Sequence, residues 1–481
     1  MKEQRHSPLH TPKRGDEVRG VAALIAPDIL DLLDESPQSI AAETEELHPA
    51  DLADIAEALP RERVADLLRA LPRERAADLL EYLEEDLRSG ILEGMSTRQA
   101  AELVTEMTPD DRADVLEELE EDRADEILAR IPEEARQETE RLLAYEPESA
   151  GGLMTTEYVS VEEDTRVEDA LAAVRRIARG ARAETMHTID ATDHAGRLTG
   201  VLSLRELLAA PEGATVREAA WGEVVSVPPT ADREEVARLT SNYDLVAIPV
   251  VDADNRILGV VTVDDVIDAL VEEHTEDVQK LGGMEALDEP YTQIGFFSMI
   301  RKRGGWLSIL LIGEMLTASV MKHFEVELSR ALVLTLFIPL IMSSGGNSGS
   351  QATSLIIRSM ALGEINLRDW WRVALRELPS GIALGMILGA LGVLRVLVWQ
   401  HFGIGGGYGE HYGRVAAVVG AALIGVVTFG SLAGSMLPFV LRRIGFDPAS
   451  ASAPFVATLV DVTGLSIYFY VALFFLRGTL L

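Results

Sequence analysis

The sequence predicts a multidomain membrane protein: an all-α solenoid, an α/β pair of repeats, an acidic connecting helix and a five-helix transmembrane domain, in that order. Three observations carry this. A twelve-residue pattern of apolar and acidic residues recurs over residues 47–140. Strand-like and helix-like stretches then alternate twice over 150–270. Five apolar stretches crowd into residues 301–481.

Charge divides the chain in the same way. The whole carries a formal net charge of −35, made of −40 over residues 1–300 and +5 over residues 301–481. An acidic half of this size repels nucleic acid and anionic lipid and suits cations. There are no cysteines, which excludes disulfides, thiolate metal sites and cysteine nucleophiles. The opening residues, MKEQRHSPLHTPKRGDEVRG, have no apolar core and do not resemble a secretory signal. Residues 1–40 are expected to form a mobile tail.

The solenoid is assigned to residues 41–148. Leu47, Leu59, Leu71, Leu83, Met95, Met107, Leu119 and Ile131 stand at the first position of the repeat. A turn-and-cap signal follows in several copies, as in LPRERVADLL and MTPDDRADVL, and then apolar residues at helical spacing. Twelve residues make one short helix and a turn, which cannot bury its own apolar face, so the copies should stack. The eighth position is acidic in all copies but one: Asp54, Asp66, Asp78, Glu102, Asp114, Glu126 and Glu138, against Gly90. A solvated face explains that pattern by itself, so the repeat alone makes none of these acids a ligand.

After Glu148 the pattern changes. Val159-Ser-Val161 and Val224-Val-Ser-Val227 read as short strands, each followed by a helix and then strand, turn, strand and helix. The second copy is the clearer, with Leu245–Asp252, a turn at Asp254-Asn255, Ile257–Thr262 and a helix from Val263. With its Gly259-Val-Val-Thr-Val-Asp-Asp265 ending, this resembles a tandem CBS pair, assigned to residues 149–265. In the first copy Thr188-Ile-Asp-Ala-Thr-Asp193 is too polar for the usual buried strand, which counts against a ligand pocket there. Two readings stand for the pair: an adenine nucleotide site, which CBS pairs often carry, and purely structural dimerisation.

Residues 266–300 form a connecting helix and linker. The helical stretch 263–281 carries Asp264, Asp265, Asp268, Glu272, Glu273, Glu276 and Asp277 before its first base, Lys280. Asp265, Asp268, Glu272 and Glu276 share one face, and Glu273 and Asp277 form a second pair. Like charges at this spacing each cost roughly 0.2–0.5 kcal/mol. Divalent cations or opposing bases would steady such a helix; a solvated linker face is the alternative.

The membrane domain, residues 301–481, holds five candidate spans, at about 305–325, 331–357, 379–400, 414–441 and 454–476. Arg301, Lys302 and Arg303, then Arg358, Arg368, Arg372 and Arg376, then Arg442 and Arg443, mark one side, which should be cytoplasmic. The second span contains Gly345-Gly-Asn-Ser-Gly-Ser-Gln351 after Pro339. Such a run is expected to break the helix, exposing carbonyls beside Asn347 and Gln351 as oxygen donors for a hard cation. A small-residue packing interface is the alternative. Asp461 lies inside the fifth span, where a carboxylate costs roughly 2.5–3.5 kcal/mol on insertion scales and commonly marks an ion path. Glu314 in the first span is a second intramembrane acid, read as a lipid-edge or structural residue and ranked below Asp461.

The order of domains, GGNSGSQ, PFVATLVDVTG and Glu272-Glu-His-Thr-Glu-Asp-Val-Gln-Lys-Leu-Gly282 together resemble the MgtE family of magnesium channels, over roughly residues 45–478. The resemblance implies a homodimer in a lipid bilayer, in the cell (inner) membrane with the N-terminal domains cytoplasmic. One pore would lie between subunits, lined by the second and fifth spans, with Asp461 and the Ala457 carbonyl near a hydrated Mg²⁺. It also implies closure by intracellular Mg²⁺ at Asp78, Asp110, Asp244, Asp265, Asp268, Glu273, Glu276, Asp277 and Asp447. Asp78 is the weakest match, because the repeat offers other acids. A secondary transporter coupled to H⁺ or Na⁺ competes with the channel reading, without an evident inverted repeat to favour it. No P-loop, nucleophile constellation or histidine-rich metal set supports an enzyme.

Overall fold

Each twelve-residue unit becomes one helix of eight to ten residues: Pro49–Glu57, Arg61–Ala70, Arg73–Glu81, Glu85–Gly94, Thr97–Val104, Pro109–Glu117, Glu121–Leu128 and Glu133–Leu142. This computed structural model describes residues 16–178, 188–287, 291, 294–404 and 408–478. It divides into two compact units, Met1–Leu270 and Val271–Leu481.

Helices this short are marginal alone and take their stability from packing. They pack two units apart: Pro49–Glu57 on Arg73–Glu81, that helix on Thr97–Val104, and that on Glu121–Leu128. First-position side chains such as Leu59, Leu71, Leu83, Met107, Leu119 and Ile131 enter one continuous core. Arginines at the fifth position tie the stack. Arg75 donates to the Leu47 carbonyl at 2.6 Å, and Arg123 to those of Leu92 and Met95, both at 2.6 Å. Leu92 and Met95 close a helix whose last carbonyls lack intrahelical partners, so the guanidinium satisfies them.

The expected mobile tail is corrected from Asp16 onward. Asp16–Glu35 is a helix, and its Ala22, Ala26, Ile29 and Leu33 are buried in the solenoid core. These residues form one helical stripe that covers the apolar end of the first repeats, and Asp34 pairs with Arg63 at 2.7 Å. Residues 1–15 lie outside the described residues.

In the first α/β repeat, β1 (Ser160–Glu162) pairs parallel with β2 (Thr188–Thr192), which pairs antiparallel with β3 (Leu198–Ser203). In the second, β4 (Ala247–Val251) pairs antiparallel with β5 (Ile257–Thr262), and Val227 bridges β4 in parallel. The repeats meet where Leu198 N donates to Asn255 O at 2.8 Å and Asn255 Nδ2 returns a bond to Leu198 O at 2.7 Å. The polar Thr188–Asp193 stretch does form a buried strand, contrary to expectation: Ile189, Asp190, Ala191 and Thr192 are all buried. Ile189 and Ala191 face this repeat's own core, which leaves Asp190 and Thr192 on the opposite face of the sheet.

The connecting helix runs Val263–Leu281. Among the described residues, five helices are long and apolar enough to cross a membrane: Phe296–His323, Leu332–Ala361, Leu367–Phe402, Tyr412–Arg443 and Ala453–Leu476. The second span is not broken at its glycine run, as expected, but is α-helical from Ile338 to Ala361. Glycine serves packing there instead. A Cβ on Gly430 would meet the Gly345 carbonyl at 2.3 Å, and one on Gly434 the Gly349 carbonyl at 2.2 Å. Thr353 Oγ1, 2.8 Å from the Gly434 carbonyl, closes the same seam. Irregular backbone occurs earlier, as a 3₁₀ turn over Leu332–Phe337, where the Tyr468 hydroxyl satisfies the Leu334 carbonyl at 2.8 Å.

Candidate ion route and acidic sites

The fifth span starts at a capped end: Ser452 Oγ accepts from Phe455 N, and Trp306 Nε1 donates to Ser452 Oγ at 3.2 Å. Asp461 follows nine residues later, about 14 Å along the helix and near the midplane of a hydrocarbon layer about 30 Å thick. It is half-buried. Ala457, one turn earlier, faces the second span, where a Cβ on Gly346 would lie 3.4 Å from its own. Asn347 and Gln351, one turn apart on the second span, are exposed. The second and fifth spans therefore meet through small residues, while Asp461 is half-buried and both amides are exposed. The carbonyls of the glycine run are engaged in the helix, so it is the amides that remain on offer.

On the cytoplasmic flank predicted by the arginines, the connecting helix ends against the same unit. Leu281 packs on Ile357, Ala449 and Ala451. Asp447 caps a 3₁₀ turn between the fourth and fifth spans, its Oδ1 accepting from Ala449 N at 2.8 Å. Lys280 Nζ reaches Asp447 Oδ2 at 2.6 Å and also pairs with Glu276. Asp277 is pushed up to about 6 by burial and then by the charges of Asp447 and Glu273. Thus Glu273, Glu276, Asp277 and Asp447 converge. Lys280 was not among the expected site residues; as the first base after a run of acids, it was visible in the sequence.

Within the first unit, Asp110 and Asp265 come together. The end of the solenoid packs on the second α/β repeat, Ala113 and Leu142 sharing a core with Val236, Ile248, Val261 and Val266. Asp265 is pushed up to about 8 by burial and then by Asp110, and Thr262 donates to it. Asp110 is pushed up to about 6 by burial and then by Asp111. Its Oδ1 is buried with no hydrogen-bond partner. Asp111 and Asp114 border this pair and were not singled out; Asp114 is the eighth residue of its repeat. Asp78 is half-buried on Arg73–Glu81, and Asp268 is exposed on the connecting helix. Asp244 is exposed in the left-handed cap of Arg233–Tyr243, with φ of 51°. Among the described residues no three histidine or acidic side chains already stand in metal-holding geometry.

One buried acid escaped the sequence reading. Asp190 is 1% exposed, and neither carboxylate oxygen has a hydrogen-bond partner. Burial pushes it up to about 7. Tyr158 lies beside it and donates its hydroxyl to Ile257 O at 3.4 Å, across to the second repeat. An aspartate in the middle of a strand was the available signal.

Three family matches cover these regions: the MgtE intracellular N domain over residues 47–148, CBS domains over 150–213 and 216–272, and the MgtE divalent cation transporter domain over 338–471. A magnesium transporter MgtE of Thermus thermophilus is 44% identical over 342 residues, 71% of this chain and 73% of that one. The chain belongs to the MgtE family. An Enterococcus faecalis MgtE magnesium transporter is 35% identical over 344 residues, 72% of this chain and 73% of that one. The solved cytosolic domain of an MgtE Mg²⁺ channel in complex with ATP is similar at 37% identity, over 51% of this chain and 99% of that chain, with a TM-score of 0.48. MgtE membership makes this chain a magnesium transporter by family, and its five membrane-capable helices fit that class.

Proposed function

We propose that this chain is a Mg²⁺-selective channel that imports magnesium and is closed by intracellular Mg²⁺. The observation that carries the reading is Asp461, a half-exposed carboxylate near mid-bilayer depth on a span that packs against the amide-bearing second span. Two copies of the chain would set two Asp461 side chains around one hydrated ion. Mg²⁺ dehydrates reluctantly and is commonly held by one or two carboxylates with waters. The most apolar stretch of the first span has no buried residue, which leaves a long face for lipid or a second subunit.

Closure rests on the acid sites. Glu273, Glu276 and Asp277 on the connecting helix converge with Asp447 on the loop before the fifth span. Mg²⁺ between helix and loop would neutralise their repulsion and hold the helix end against the membrane domain. Without it, like charges favour separation. Asp110 and Asp265 would work in the same way where solenoid meets CBS pair. The partnerless Asp110 Oδ1 is a ready oxygen ligand there. Moving a closed-to-open ratio from 99:1 to 1:99 takes about 5.5 kcal/mol of differential binding, which several weak sites can share.

The CBS pair, in this reading, binds an adenine nucleotide. Asp190 is a buried acceptor with both oxygens unpartnered, on the sheet face that carries Tyr158 toward the second repeat. The amino group of adenine and the hydroxyls of ribose are the donors it lacks.

Single-channel recording from excised membrane tests the main reading, with cytoplasmic Mg²⁺ stepped over the micromolar to millimolar range. Openings that vanish as Mg²⁺ rises are expected. Openings indifferent to Mg²⁺ would remove the sensor. Magnesium uptake without unitary current would instead point to coupled transport.

A further inference from the structure

We propose that Glu314 supplies a second carboxylate to the ion route, level with Asp461, and thereby sets how tightly this chain holds a divalent cation within its membrane domain. The inference rests on the reading of Asp461 as a route residue.

The register of two helices places Glu314. Three contacts tie the first span to the fifth: Trp306 Nε1 to Ser452 Oγ at 3.2 Å, a Cβ on Gly313 to Thr458 Cγ2 at 2.9 Å, and Phe324 stacked on Phe469 with centroids 4.7 Å apart. The offset between partners is 145 or 146 residues in all three, so the spans run parallel and in register over their whole contact. The same offset sets Glu314 opposite residues 459 and 460, next to Asp461.

Depth excludes an interfacial role. Glu314 lies eleven residues beyond Arg303 and nine before His323, about 16 and 14 Å along the helix. A glutamate side chain is too short to reach either surface from there. On the single protomer it is exposed. A charge at that depth is costly in lipid and belongs in a watery path or at a partner. Gly313 faces the fifth span, and one turn later Thr317 holds a buried hydroxyl with no hydrogen-bond partner. Glu314 borders that contact at the level of Asp461. Two subunits would then offer four carboxylates at one level. A site with more charge binds divalents more tightly and passes them less freely, since conduction needs binding weak enough to release.

The test uses the full chain in planar bilayers, with Na⁺ as the charge carrier, no divalent on the cytoplasmic face and Mg²⁺ titrated from the other side. The readout is the half-blocking Mg²⁺ concentration. Glu314→Gln should raise it about tenfold, as expected for removing one nearby charge from a divalent site of intermediate dielectric. Glu314→Asp should stay within about twofold of the parent, because the charge is kept. Asp461→Asn should raise it at least as far as Glu314→Gln does. If Glu314→Gln blocks like the parent while Asp461→Asn does not, Glu314 is a lipid-edge or structural residue and the route reading stands. If neither substitution moves the block, or the parent carries no current, the route reading itself fails and this inference goes with it. Should Glu314→Gln not insert, Glu314→Met carries the same expectation in a residue that suits an apolar span.

Discussion

At the scale of single residues, the chain concentrates its chemistry in carboxylates held where carboxylates are uncomfortable. Asp265, Asp110 and Asp277 all titrate above the ordinary carboxylate range, chiefly through burial. The sign follows directly. A group whose folded value is raised binds its proton more readily when folded, so protonation favours the packed arrangement. Stability is lost as pH climbs from the unfolded value near 3.9 through the folded value. For Asp265 that window ends at about 8. In divalent-free buffer the melting temperature of the full chain should therefore fall between about pH 4 and about pH 8, and millimolar Mg²⁺ should flatten the slope by taking the proton's place. A profile already flat without divalents would mean that these acids are relieved by something other than a cation. Asp190 supports a second prediction. Asp190→Asn removes a buried charge that has no partner, so the unliganded protein should melt higher, while the stabilisation produced by ATP or AMP should shrink by about tenfold in apparent affinity. An undiminished nucleotide shift would take Asp190 out of the pocket.

Elements tell a different story, because here glycine matters more than charge. The second and fourth spans touch through backbone, Gly345 to Gly430 and Gly349 to Gly434. A methyl group at Gly434 would meet a main-chain oxygen at 2.2 Å, which no side-chain rotation relieves. Gly434→Ala should cost about 1–3 kcal/mol and force the two helices apart. Thermal unfolding in detergent reads the loss, and unchanged stability would show that the seam has slack. The solenoid has its own staple in Arg75 and Arg123, whose guanidiniums satisfy carbonyls from an earlier unit. Arg123→Met keeps much of the apolar stem and leaves the Leu92 and Met95 carbonyls unpaired. It should destabilise the first unit by about 1–3 kcal/mol. A denaturant midpoint equal to that of the parent would assign those carbonyls to water.

Across the whole molecule, two units share the connecting helix Val263–Leu281, whose first half carries Asp265 and whose last turn carries Lys280. A change of charge at either end acts on a single helix. Neutralising Glu273, Glu276 and Asp277 together, each to its amide, should leave current flowing at internal Mg²⁺ that silences the parent. Normal closure in that triple variant would reduce the acidic face to solvated surface. The family matches support this chain as a magnesium transporter and leave its gating to such measurements.

By itself, the sequence determined what depends on local periodicity and composition. Twelve-residue spacing specified eight short helices, because leucine and the turn residues recur in step with one helix and one turn. Apolar length specified five membrane-capable helices, and a charge in the fifth singled out Asp461. Tertiary structure decided whatever depends on who lies opposite whom. GGNSGSQ reads as a helix breaker until the facing glycines of the fourth span show it as a close-packing surface. Thr188–Thr192 looks too polar to bury until its two faces are separated, one against a core and one presenting Asp190. The acids of the solenoid look alike in the repeat pattern; the family resemblance names Asp110, and packing sets it against Asp265. Propensity and hydropathy are summed over neighbours in sequence, whereas ligation, desolvation and helix contact are set by neighbours in space.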